Sequence, residues 1–171
     1  MKKDFNTAKT EESTNTWLTP PALIKALGHF DLDPCTPPVM PWQTATHRYT
    51  EADDGLRSSW YSDRVFLNPP YGEHTFKWLA KLADHKNGIA LIFARTETKG
   101  FQREVFGKAH SLLFKAGRIQ FHREDGSLGG TSNAPSVFVS YSKDDTDALA
   151  NSGIPGRLVT LGKQAPELNL F

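Results

Sequence analysis

A chain of 171 residues with 38% apolar and 23% charged residues is long enough for one domain with a sizeable core, and its composition excludes a collagenous, disulfide-scaffold or compositionally disordered protein. A single cysteine, Cys35, excludes an internal disulfide framework and fits a reducing compartment. No apolar run is long enough to span a bilayer, and the polar start "MKKDFNTAKTEESTNTW" lacks the apolar stretch of a secretory signal, so a cytoplasmic protein without a membrane partner is expected. Lys and Arg total 20 against 19 Asp and Glu, yet Arg95, Lys99, Arg103, Lys108, Lys115, Arg118 and Arg123 face only Glu97 and Glu104 in that segment. The segment therefore carries +5 and the remainder −4, an asymmetry that marks either a surface for a polyanion or an ordinary solvated face.

In chain order, residues 1–15 are polar and aperiodic and read as a flexible N-terminal arm, leaving 16–171 as a single domain. In "WLTPPALIKALGHF", Thr19 before Pro20 suits a helix cap, Leu23, Ile24 and Leu27 form one stripe, and Gly28 ends the helix. "FDLDP" is a short strand closed by Pro34, "CTPPVMPWQ" a rigid proline-rich loop, and "THRYT" another short strand. "EADDGLRSSW" is a loop with three carboxylates, and "RVFLN" a buried strand. "HTFKWLAKLADH" is a helix with Phe76, Leu79, Ala80 and Ala83 on its apolar face, and "GIALIFA" suits the middle of a parallel sheet. "KGFQREVFGKAH" is a helix, and "SLLFKA", "RIQFH" and "PSVFVSY" are strands, the last two joined by the glycine-rich stretch 123–135. Beyond Tyr141 the pattern fades. The alternation predicts a three-layer α/β domain whose sheet is mostly parallel, with an antiparallel C-terminal hairpin at one edge. Ligands of such sheets bind beyond the carboxyl ends of the strands, where "FDLDP" and "RVFLNPPYG" both place polar residues.

The tetrapeptide Asn68-Pro69-Pro70-Tyr71 carries the chemistry. The prolines withdraw two backbone donors and stiffen the chain, so the Asn68 side-chain carbonyl and the Pro69 main-chain carbonyl can converge on one small volume. Two acceptors suit an aryl NH₂ with two hydrogens, and Tyr71 offers a face on which its ring can stack, worth about 1–3 kcal/mol per base. Hydrogen bonds from both amine hydrogens favour a more tetrahedral nitrogen with a directed lone pair. Positioning and electrostatics then replace a strong base, and a cofactor supplies the reactive group.

With "WLTPPALIKAL", "FDLDPCT", "EADDGL", "FLNPPYG", "LIFARTETKGFQ", "AGRIQFH" and "APSVFVSY", the chain resembles S-adenosyl-L-methionine-dependent amino-methyltransferases with an NPPY motif, and most closely the small phage-type DNA adenine methyltransferases, over residues 17–141. The resemblance implies a Rossmann-like methyltransferase sheet in which Asn68, Pro69, Pro70 and Tyr71 are catalytic and hold a flipped adenine. It places Asp33, Pro34 and Cys35 at the methionine part of the cofactor, with Trp17, Thr19 and Pro20 packed near it, and counts Asn68 among the cofactor-binding residues as well. Glu51 is matched to the ribose hydroxyls, and Asp53 or Asp54 to the cofactor adenine, Asp54 being preferred. It implies double-stranded DNA as partner, a monomer or weak homodimer, and a phage or prophage gene expressed in a bacterial cytoplasm. Arg95, Lys99, Arg103 and Arg118 are the candidate phosphate contacts, and the 123–135 loop lies near the target base.

One departure is that "DPCTPPVMPW" lacks the glycine-rich turn of larger relatives, and the short spacing from Asp33 to Asn68 leaves room for one helix fewer. Alternatives at this stage are methyl transfer to RNA or to a protein glutamine in the same pocket, or a non-catalytic nucleic-acid-binding relative. His29, His47, His74, His85, His110 and His122 lack metal-ligand spacing, so no metal is expected. Cys35 reads as structural rather than nucleophilic, and "GGTSNAPS" lacks the lysine of a phosphate loop.

Overall fold

The computed structural model describes residues 16–61 and 63–162; the expected arm, residues 1–15, lies outside the described residues. Helix α1 spans Pro21–Leu27 and buries Ile24 and Leu27. The expected cap is displaced by one residue. The Pro20 carbonyl receives the N–H of Leu23 at 3.0 Å, and no side chain caps the helix. Gly28 ends it at φ +88°, where a side chain would be strained.

Strands β1 (Leu32–Asp33), β2 (His47–Arg48), β3 (Val65–Leu67) and β4 (Gly88–Phe93) form a parallel array in the order β2-β1-β3-β4. Between β1 and β3 the described residues hold only β2 and the single 3₁₀ turn Glu51–Asp53, in keeping with the short spacing. Helix α2 (Thr75–His85) follows β3. Its buried face is Thr75, Trp78, Leu79, Leu82 and Ala83, rotated from the expected one, because Trp78 turns inward to stack on Trp60 at 6.4 Å. Helix α3 (Lys99–Phe101) continues directly into a π-helical turn, Gln102–Phe106.

The second half departs further from expectation. Strand β5 (Ser111–Lys115) is followed by β6 (Gln120–His122) and β7 (Leu128–Thr131), which pair with each other in a separate two-stranded ribbon. The "PSVFVSY" segment is not the partner of "RIQFH" in an edge hairpin. As β8 (Ser136–Ser140) it inserts antiparallel between β4 and β5, with all five residues buried. An unbroken apolar run without a polar alternate is what an interior position requires, whereas the glycines of β7 tolerate the exposed ribbon. Helix α4 (Lys143–Asn151), capped by the Ser142 hydroxyl, and strand β9 (Gly156–Thr160), paired with β5, complete the sheet as β2-β1-β3-β4-β8-β5-β9. Strands β1 to β5 run in one direction, with β8 and β9 reversed.

Alternate residues of the strands feed two cores. Val65, Leu67, Ala90, Ile92, Leu112 and Val137 pack with Leu79 and Leu82 of α2 and Phe101 of α3. Phe66, Ile89, Leu91, Leu113 and Phe138 face Ile24 and Leu27 of α1 and Leu149 of α4. The domain is thus helix, sheet, helix, and each fully buried side chain of this size contributes about 1.5–3 kcal/mol. Because β1 and β3 are neighbours with the same direction, Asp33 and Asn68 emerge side by side at the carboxyl edge.

Candidate active site

Strand β3 stops at Asn68 because Pro69 and Pro70 cannot donate to a ladder. A cavity of about 540 Å³ opens at this edge. Its wall contains Trp17, Thr19, Asp33, Pro34, Cys35, Glu51, Asp54, Asn68, Pro69, Pro70 and Tyr71. Most of the expected site residues are thereby brought together from four separate segments.

The Asn68 carboxamide is tightly held. Its Nδ2 donates to the Trp17 carbonyl at 3.0 Å and to Thr19 Oγ1 at 3.3 Å, while Oδ1 is buried without a hydrogen-bond partner. The Asn68 main-chain carbonyl accepts from the Cys35 thiol at 3.2 Å. Burial, and then the nearby Asp33, push that thiol well up, so Cys35 remains a protonated donor and not a nucleophile. The turn after the motif is pinned by Thr75, whose hydroxyl donates to the Pro70 carbonyl at 2.8 Å and accepts from the Gly72 N–H at 3.0 Å.

Tyr71 stacks on Phe93 with ring centroids 4.1 Å apart and planes at 11°. Its hydroxyl is buried without a partner, and burial pushes the phenol up. Among the described residues the ring makes the stacking contact and the oxygen makes no hydrogen bond. Tyr71→Phe is expected to retain nearly full activity and to raise stability by about 1 kcal/mol, since a buried unpaired hydroxyl costs that order; a thermal melt and a turnover assay check it.

Asp33 ends β1 with only 5% of its surface exposed. Its Oδ2 accepts from Thr44 Oγ1 at 2.5 Å and its Oδ1 from the Cys35 N–H at 3.3 Å, yet burial dominates and pushes the carboxyl up to about 6. Nearby, the carboxylate loop is ordered from beneath. Lys81 Nζ donates to the carbonyls of Gly55, Leu56 and Ser58, and Trp60 Nε1 donates to that of Gly55 at 2.8 Å. Gly55 is buried so closely that a Cβ would lie 2.0 Å from the Pro34 carbonyl oxygen. Gly55 is where the carboxylate loop packs directly on the Pro34 backbone.

The structure separates Asp53 from Asp54. Asp53 is exposed and closes the 3₁₀ turn, accepting from the Thr50 N–H and hydroxyl at 2.8 and 2.9 Å, whereas Asp54 lines the cavity. Pro20 does not line it, serving instead as the start of α1. Thr36, Met40, Thr44, Gly55, Trp78 and Glu124 line the cavity without having been singled out by sequence. Thr44 meets Asp33 across a proline-rich loop, a contact no local pattern announces.

Arg95 follows β4 and Arg118 follows β5; both are exposed, and both strands end at the same edge as Asn68. Lys99 opens α3. Arg103 is already engaged: its Nε meets Glu104 Oε1 at 2.5 Å, and Lys108 Nζ meets Oε2 of that buried carboxylate at 2.7 Å. The ribbon carries Glu124 to the cavity and is tied to the entry segment, where Leu18 and His122 exchange backbone hydrogen bonds of 2.9 and 3.0 Å. Among the described residues no three His, Cys, Asp or Glu side chains are grouped to hold a metal ion, and no helix is long and apolar enough to cross a membrane.

Comparison with known proteins bears on these features. No curated protein and no solved structure matches the chain. One family model does, described as DNA N-6-adenine-methyltransferase (Dam), over residues 6–150, a span that takes in the whole cavity wall, the ribbon and β8. The chain belongs to the DNA N-6-adenine-methyltransferase family.

Proposed function

We propose that the protein transfers a methyl group from S-adenosyl-L-methionine to the exocyclic amine of an adenine turned out of double-stranded DNA, on a Rossmann-like methyltransferase sheet. The observation that carries this is the Asn68 carbonyl oxygen, buried on the cavity wall with no partner among the described residues. A buried acceptor left unpaired costs about 1–3 kcal/mol, and a ligand N–H relieves that cost.

The residues present fit the cofactor. Asp33 is a buried carboxyl that a cationic ligand would draw into its charged form, and Glu51 and Asp54 offer carboxylates to hydroxyl and amine groups. Asp33, Pro34 and Cys35, with Trp17 and Thr19, would hold its methionine end, and Glu51 and Asp54 its nucleoside. When bound, the cofactor supplies an electrophilic methyl group.

The chain's own residues do the rest. Asn68 Oδ1 and the Pro69 carbonyl take the two amine hydrogens of adenine and leave the nitrogen lone pair directed away from both. Tyr71, braced by Phe93, stacks on the base and offsets the few kcal/mol lost on extruding it. Arg95, Lys99 and Arg118 serve the phosphates, with Arg103 shared between Glu104 and DNA. The test is a panel of acceptors, duplex DNA, RNA and protein, incubated with methyl-labelled cofactor. Label confined to DNA is the expected result; label in RNA or protein alone, or none with cofactor bound, would overturn the assignment.

The raised carboxyl of Asp33 has a pH consequence. Its folded value, about 6, lies above its ordinary 3.8, so the stability it contributes is present below about pH 4 and is lost as pH rises through 6. Two units correspond to about 3 kcal/mol. Asp33→Asn is expected to flatten that part of the stability profile, measured by urea titration between about pH 4 and pH 7. Cofactor affinity is expected to rise over the same interval in the natural protein and to stay level in the variant, as calorimetry would show.

A further inference from the structure

An asparagine carboxamide turned by half a revolution about its last bond exchanges one acceptor for two donors in nearly the same volume. At Asn68 that choice decides which functional group the cavity can clasp. Both Nδ2 hydrogens are taken, one by the Trp17 carbonyl and one by Thr19 Oγ1, so the oxygen is left without a partner among the described residues. Turned the other way, the oxygen would oppose the Trp17 carbonyl, acceptor against acceptor, and the amide hydrogens would lose both partners. A main-chain carbonyl cannot donate, so Trp17 fixes the polarity, and the Thr19 hydroxyl takes the second hydrogen.

We infer that the Trp17–Thr19 segment is an orientation lock on Asn68, with Thr19 as a positioning residue, and that this lock makes the site accept an exocyclic amino group and reject an exocyclic carbonyl. The inference rests on the function proposed above. Thr19 looks like a helix cap in the chain, but its side chain makes no cap bond; it is 2% exposed, one residue before the Pro20 that caps α1. The lock is anchored from outside the cavity as well. Leu18, between the two holding residues, exchanges both backbone hydrogen bonds with His122 of the ribbon. The Trp17 ring fills the space a side chain at Gly129 would need, since a Cβ there would lie 2.6 Å from the ring. The ribbon that brings Glu124 to the cavity therefore also holds the carbonyl that sets the polarity of Asn68.

The test compares Thr19→Val, equal in shape but without the hydroxyl, with Thr19→Ser, which keeps it. In the cofactor-free protein, the side-chain NH₂ resonances of Asn68 are identified by their absence from Asn68→Ala. Both protons are expected to resist solvent exchange in the natural protein and in Thr19→Ser, and one to exchange at least about tenfold faster in Thr19→Val. In single-turnover methylation at saturating cofactor, Thr19→Val is expected to slow the chemical step about tenfold. The binding preference for an adenine duplex over the same duplex carrying hypoxanthine, measured by competition, should fall by a similar factor, and Thr19→Ser should restore both. Unchanged exchange and unchanged preference in Thr19→Val would overturn the lock, as would a Thr19→Ser variant equally impaired, which would mean packing alone. A natural protein that never methylates adenine would count against the proposed function only, the exchange measurement still deciding the lock.

Discussion

Asn68→Ala is expected to lower the rate of adenine methylation by about three orders of magnitude while leaving cofactor affinity within about threefold and the melting temperature nearly unchanged. The rate effect follows from deleting one of two acceptors that must be aligned before the amine can react; removal of one preorganised hydrogen-bonding group at a reacting centre costs about 10²–10³ in turnover. The small stability effect follows from two opposing changes. Truncation leaves the Trp17 carbonyl and Thr19 hydroxyl without a donor, but it also removes the buried oxygen that has no partner. Turnover, calorimetric binding and a thermal melt on the same preparation check all three parts; a variant with near-normal turnover would remove Asn68 from the chemistry.

Asp145→Ala should do the reverse, costing about 3–5 kcal/mol of stability and on the order of 10 °C in melting temperature. Asp145 lies at the amino edge of the sheet, opposite the cavity, and is 1% exposed. Its Oδ1 pairs with Arg64 Nε at 2.9 Å; its Oδ2 accepts from the Gly88 N–H and the Ser142 hydroxyl, each at 2.7 Å. Arg64 in turn donates to the carbonyls of Leu27 and His29 and lies 4.3 Å from the centre of the Phe30 ring. One carboxylate thus joins the ends of α1, β3, β4 and α4. Its removal strands a mostly buried guanidinium and a backbone donor, which is the costly half of breaking such a pair. At temperatures where the variant is folded, turnover per active molecule should match the natural protein.

These two residues also show what could and could not be read from the chain. Asn68 was legible because its neighbours are chemically odd for a strand end: two prolines and an aromatic after three apolar residues. Strands β3 and β4 were legible because interior strands leave unbroken apolar runs. Asp145 was not, since "SKDDTD" looks like any polar surface, although the serine followed by two acids is a helix start that could have revealed α4. The place of β8 was lost because strand order is set by long-range pairing; the glycine-rich 128–131 segment, which resembles a loop, is what β6 actually pairs with. Thr44 and Gly55 were missed, and Thr19 was singled out without its bond to Asn68, for one shared reason. Each acts on a residue distant in the chain, at Asp33, Pro34 and Asn68 respectively, and a sequence displays spacing along the chain rather than across the fold. Asp53 and Asp54 part on a local detail: Asp53 closes the 3₁₀ turn by accepting from Thr50, and Asp54 lines the cavity.

The most direct measurement is a crystal structure of the protein with a non-reactive cofactor analogue and duplex DNA. The expected result is an extrahelical adenine stacked on Tyr71, its N6 within about 3 Å of both Asn68 Oδ1 and the Pro69 carbonyl. An adenine left in the duplex, or a base whose amine lies elsewhere while Asn68 Oδ1 stays unpaired, would contradict it.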